Sequence, residues 1–165
     1  MMKTLVIGLG NPILGDDGVG WVVAQKVESI QAETNRGIKV ECLALAGISL
    51  MEQMIGYQRV ILIDSLNTGQ RQQGEVVTFT LDALADLTFG HSASAHDLSL
   101  KNALVLGRSM LADLPEDKNV HIVAIEAEHV YEFGETLTPT IQAAVPEAVA
   151  EVLKLLNIEI AVQVL

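Results

Sequence analysis

Cysteine, basic residues and long apolar runs are what this chain has least of, and each shortage excludes something. The one cysteine, Cys42, has no partner for an internal disulfide. Without a Cys-x-x-Cys pair, neither a thiolate zinc site nor dithiol redox chemistry has its ligands, and a reducing cytoplasm is expected. Within "VECLAL", Cys42 reads as a small buried hydrophobe rather than a nucleophile. Lysine and arginine number 10 against 21 aspartates and glutamates, a net charge of −11. A surface that acidic repels phosphate backbones and anionic membranes, so nucleic acid and membrane give way to a cation, a metal centre or a protein as partner. No apolar run reaches the ~18 residues that a membrane span needs. The N-terminus carries one lysine and a short apolar stretch broken by Asn11, with no small-residue cleavage site after it, and does not read as a secretory signal.

What remains is 165 residues, half of them hydrophobic. That is enough for one domain, 1–165, with a substantial core. "KTLVIGLG" reads as a buried strand ending in a turn. Val19, Val23, Val27 and Ile30 recur at helical spacing, predicting a helix from about Asp17 to Gln31, broken by "NRG". "IKVECLAL" is a second strand, Ile48–Ile55 a short helix, and "RVILIDS" a third strand with the near-continuous apolar character of one covered on both faces. "EVVTFTL" is a strand toward an edge, and Leu100 to Leu114 a helix ended by Pro115. "NVHIVAIEA" is a further strand. The last helix opens at "TPT", with Thr138 as cap and Pro139 at the first helical position. Pro146 predicts a kink or a restart within it. Strands alternating with helices define an α/β fold, a three-layer α/β/α sandwich with a mostly parallel sheet and helices on both faces.

The first turn, "GLGNPILGDDGVG", decides the chemistry. Strand, glycine turn and helix is the layout of a dinucleotide site, but the third glycine of G-x-G-x-x-G is Ile13 here, and no Walker lysine follows. Asp16 and Asp17 stand where phosphates would meet the helix N-terminus, and carboxylates compete with an anion for those amides. The loop is therefore suited to a cation. Asp16 is read as the helix N-cap, which frees Asp17 to project over the sheet edge.

Ligands of open α/β sheets bind beyond the carboxyl ends of the strands. Asp64 ends "RVILID" at that edge, where a role in the following turn weighs about as much as a functional one. His96 lies in "HSASAHDLSL" before a helix, with His91 competing for the same role on spacing alone. His121 inside a strand and His129 in "EAEHVYE" read as structural or solvated. Two carboxylates and an imidazole suit a divalent first-row metal such as nickel or zinc, and three protein ligands leave positions open for substrate.

The pattern G-x-G-N, four residues, then D-[D/E]-x-x-G, present as Gly8, Gly10, Asn11, Asp16, Asp17 and Gly20, resembles the hallmark of the hydrogenase maturation proteases. An aspartate ending the third strand (Asp64), an S-x-H-x-x-x-L setting ("SAHDLSL", hence His96 rather than His91) and "LTPT" at Leu137–Thr140 follow in the same order. The resemblance implies an endopeptidase that trims the C-terminal extension of a nickel–iron hydrogenase large-subunit precursor after nickel insertion. It implies that Asp17, Asp64 and His96 are metal ligands and catalytic residues alike. The metal would be nickel presented by the precursor, although zinc or another divalent ion suits the same donors. Where many members carry a D-G-G-T-like turn, this chain has "LAGI", Leu45–Ile48, which removes a polar contact with substrate. Peptidyl-tRNA hydrolase shares G-L-G-N-P but needs a downstream histidine segment that "LGDDGVG" lacks, and its tRNA substrate conflicts with the acidic charge. A non-proteolytic nickel-binding or precursor-binding chaperone would use the same three residues. No heptad or apolar repeat suggests a self-interface, so a monomer is expected.

Overall fold

The structure, a computed structural model, describes residues 2–32, 37–84 and 95–158, with the side chains of 95–99 left out. Five strands, β1 (Thr4–Leu9), β2 (Ile38–Leu43), β3 (Arg59–Leu66), β4 (Val76–Thr80) and β5 (Val120–Glu126), form one sheet in the order β2-β1-β3-β5-β4. Four helices accompany them among the described residues: α1 (Val19–Gln31), α2 (Gly47–Gln53), α3 (Ala95–Ser109) and α4 (Pro139–Leu155). Only β4 runs antiparallel, paired with β5 at the edge expected for "EVVTFTL".

Alternation along the central strands builds two cores. Val6, Ile61 and Ile63 point to one face and are covered by α1 and α4. Leu5, Ile7, Leu62 and Val60 point to the other, beneath α2 and α3. Parallel strands sandwiched this way are apolar on both sides, which is why β1 and β3 read as continuous hydrophobic runs. The three-layer α/β/α expectation holds. No helix of the described residues is long and apolar enough to cross a membrane.

The tightest contact joins α1 to the sheet. A Cβ placed on Gly20 would lie 2.4 Å from both the Ile63 and Leu9 carbonyl oxygens, so only glycine lets the start of this helix rest on the ends of β1 and β3.

Three local expectations need correction. "GDDG" is a separate 3-10 turn (Gly15–Gly18), and α1 proper begins at Val19. α3 ends at Ser109 rather than running on toward Pro115. There the Ala112 N–H bonds the Gly107 carbonyl and the Leu111 N–H the Arg108 carbonyl, with Leu111 left-handed at φ 63°. That paired closure satisfies the last carbonyls of the helix without proline. Pro146 does not restart α4, which runs unbroken from Pro139 to Leu155; Pro146 and Gln142, the residue whose carbonyl loses a partner N–H, both lie on the exposed face.

Leu111 is almost fully exposed, so its side chain contributes little while its backbone is strained. Leu111→Gly is expected to stabilise the protein by about 1 kcal/mol, read as a raised urea midpoint at unchanged m-value.

Candidate active site

The β1–α1 loop folds around its own asparagine. The Asn11 carbonyl accepts from the Leu14 N–H at 3.0 Å, and its Oδ1 accepts from the Ile13 N–H at 3.2 Å. Gly10, at φ 120°, brings the chain so close to residue 17 that a Cβ there would overlap the Asp17 carbonyl. The Asn11 N–H thereby reaches Asp17 Oδ2 at 2.7 Å. On the other side the Ser65 hydroxyl donates to Asp17 Oδ1 at 3.0 Å. Ser65 also donates its backbone N–H to Asp64 Oδ1 at 2.8 Å. One residue therefore ties both carboxylates at the carboxyl edge of the sheet: Asp17 from the 3-10 turn, and Asp64 from within β3, which does not end at Asp64 as expected but continues to Leu66 through its pairing with β5. Asp64 is buried and Asp17 half-buried.

Asp16 does not cap α1, contrary to its reading as N-cap; Gly18 holds that position and no side chain caps there. The fully buried Asp16 carboxylate instead accepts the Thr138 N–H at 2.7 Å and the Thr138 hydroxyl at 2.9 Å. Thr138 is the N-cap residue of α4 and Pro139 its first residue, as expected, but the threonine hydroxyl is spent on Asp16 and makes no cap bond. A carboxylate at a helix N-terminus is favoured by the aligned peptide dipoles. The loop is further stitched to the β5–α4 connection, through Gly15 N–H to the Gly134 carbonyl (2.7 Å) and Asp16 N–H to the His129 carbonyl (3.1 Å).

A second buried carboxylate, unread in the sequence, does similar work. Glu126, at the end of β5, accepts from the Thr68 N–H, the Thr68 hydroxyl and the Gly69 N–H at 2.8–3.0 Å, fixing the loop that leaves β3. Its signal was present: like Asp64, it is a lone acid closing an apolar strand. Ser65 offered no such signal, since its importance comes from the side chain that meets it across the loop.

A cleft of about 280 Å³ opens beside Asp17, floored by Leu9, Gly10 and Asn11 and walled by Ala44, Leu45 and Ala46. The "LAGI" departure thus forms part of an apolar wall.

His96 lies in the first turn of α3, and its side chain is outside the described residues, as is His91 altogether. Among the described residues no group of three or more His, Cys, Asp or Glu side chains is arranged to hold a metal. His121 sits half-buried in β5, where burial and then the Arg59 guanidinium hold its pKa below the usual histidine value. The pKa of half-buried His129 is raised by its 2.8 Å pairing with Glu132. Cys42 is half-buried rather than the buried hydrophobe expected; burial raises the pKa of its thiol, which disfavours the thiolate, and its sulfur donates weakly to the Trp21 carbonyl.

Fold and site define a three-layer α/β/α scaffold carrying a tied pair of carboxylates at the carboxyl edge of its sheet. Residues 19–155 match the family model of HycI, hydrogenase maturation protease. The hydrogenase 2 maturation protease of Escherichia coli (strain K12) is 27% identical over 158 residues, covering 94% of this chain and 92% of that protein. The hydrogenase maturating endopeptidase HybD from E. coli superposes with a TM-score of 0.73 at 25% identity, over 94% of this chain and 93% of that one. The [NiFe] hydrogenase maturation protease HybD from Thermococcus kodakarensis gives 0.68 at 26% identity, over 93% and 99%. This chain belongs to the hydrogenase maturation protease family and is a peptidase.

Removing the buried Asp16 carboxylate leaves both donors of half-buried Thr138 without their acceptor. Asp16→Ala should cost about 3 kcal/mol and Thr138→Val about 1 kcal/mol, because the latter removes one bond with its donor. Urea unfolding of the two variants checks the order.

Proposed function

We propose that this chain removes the C-terminal extension of a nickel–iron hydrogenase large-subunit precursor, and that nickel already seated in the precursor is the feature it recognises. The observation that supports this most is the double hold of Ser65 on Asp17 and Asp64 beside an apolar cleft. In this reading Asp17, Asp64 and His96 are the ligands offered to the substrate's nickel. Two carboxylates and an imidazole are donors that a divalent first-row ion accepts. Each Asp17 oxygen receives one hydrogen bond and keeps lone-pair capacity for a cation.

The metal supplies Lewis acidity toward a peptide carbonyl when it is held at this edge. The chain's own residues do the rest. Ser65 and Asn11 orient Asp17, and the apolar wall at residues 44–46 receives the tail of the extension and sheds water from it. One carboxylate of the pair takes the proton of the attacking water. The new C–O bond forms, the C–N bond breaks, and that proton ends on the leaving amine. An empty precursor offers nothing for the three ligands to grip and is spared, which makes cleavage a checkpoint on metal insertion. The acidic surface suits a positive region around the precursor's tail. We place this work in the cytoplasm, with the chain acting as a monomer.

Intact-mass analysis of the precursor, with and without nickel, tests the reading. A C-terminal peptide should leave only the nickel-loaded form. Asp17→Asn should lower the rate by at least ~100-fold, and Ser65→Ala by roughly tenfold, the usual effect of losing a group that orients a metal ligand. Trimming that ignores nickel, or full activity in Asp17→Asn, would overturn it. A stable complex without product would instead support the chaperone reading.

A further inference from the structure

Aromatic residues are scarce here: one tryptophan, two tyrosines and three phenylalanines. Trp21, Tyr57 and Phe79 are partly buried, as expected of side chains worth so much when removed from water. Tyr131 and Phe133 are instead 81% and 88% exposed. They stand two residues apart on the β5–α4 connection, the segment stitched to the Asp16–Asp17 loop. The Gly134 N–H donates to the Ile13 carbonyl at 3.0 Å and the Gly15 N–H to the Gly134 carbonyl at 2.7 Å. Ile13, 47% exposed, belongs to the same rim. These backbone bonds, with the buried Asp16–Thr138 tie behind them, hold the connection against the loop. Three large apolar side chains therefore face solvent beside the residue that meets the substrate.

We propose that Ile13, Tyr131 and Phe133 form a docking surface for the folded body of the hydrogenase precursor, separate from the cleft that takes its tail. The inference rests on the function proposed above. A protein substrate that brings its bound metal to Asp17 must also cover the rim that carries Asp17, so the surface is continuous with the contact the reaction demands. Tyrosine and phenylalanine are suited to this, since few rotatable bonds are lost for a large area buried. Exposed Glu128 and Glu135 flank the patch, while Glu132 pairs with His129. The complementary region of the partner is therefore apolar with lysine or arginine at its border. The surface adds binding and leaves the chemistry alone, because none of its side chains belongs to the carboxylate pair.

The test compares steady-state trimming of the nickel-loaded precursor by the wild-type chain and by a Tyr131→Ser/Phe133→Ser variant. Melting temperature serves as the control for folding. KM should rise about tenfold with kcat unchanged, the signature of lost uniform binding. An unchanged KM, or a fall in kcat alone, would overturn the docking surface. So would sedimentation showing that the chain alone forms a dimer which the double variant loses while its KM stays at the wild-type value; the patch would then be a self-interface. If the wild-type chain trims no precursor, the proposed function and this surface fall together. If it trims and only the double variant's KM fails to move, the docking surface alone is lost.

Discussion

The closeness of α1 to the sheet is the constraint on which the site depends. Gly20 allows the helix start to rest on the carbonyls of Leu9, the last residue of β1, and Ile63, the residue before Asp64 in β3. A side chain at that point would lift the helix, and with it the 3-10 turn that carries Asp17. Seated as it is, the turn meets β3 one residue past Asp64, where Ser65 can hold both carboxylates. The pairing of two acids from distant segments is thus a consequence of backbone packing, not of any attraction between them.

Adjacent aspartates have been given opposite tasks. Asp16 is fully buried and holds Thr138 at the head of α4, while Asp17, with as many hydrogen bonds, is half-buried and lines the cleft. Glu126 repeats the first task for the loop after β3. Buried carboxylates held by backbone and hydroxyl donors act as clips for loops. The fixed loops then hold a partly exposed carboxylate in one geometry, which is what a reaction at a sheet edge requires. In the proposed function, Asp17 is the carboxylate that works and the two buried ones support it.

Much of this was legible in the sequence. The apolar runs of β1 and β3 announced strands covered on both faces, and Asp64 stood out as an acid closing one of them. Asp16 was misread because N-capping is a local preference, and here it lost to a contact with Thr138, 122 residues further on. The end of α3 was misplaced for the reverse reason. Pro115 is a visible stop, whereas a left-handed leucine at 111 carries no sequence signature, being a poor residue for that conformation. Ser65 could not be recognised at all, because a serine near the end of a strand acquires meaning only when a loop packs over it. The motif order identified the family where single residues did not, and the assignment of His96 still rests on that order.

The central claim is that Asp17 and Asp64 reach the nickel carried by the substrate. X-ray absorption at the nickel edge, on a freeze-quenched mixture of this chain and nickel-loaded precursor, tests it most directly. The account predicts that the nickel gains oxygen and nitrogen neighbours on complex formation, and that Asp17→Asn weakens or abolishes the gain. A nickel coordination shell identical before and after binding, in a mixture that goes on to yield trimmed product, would contradict it.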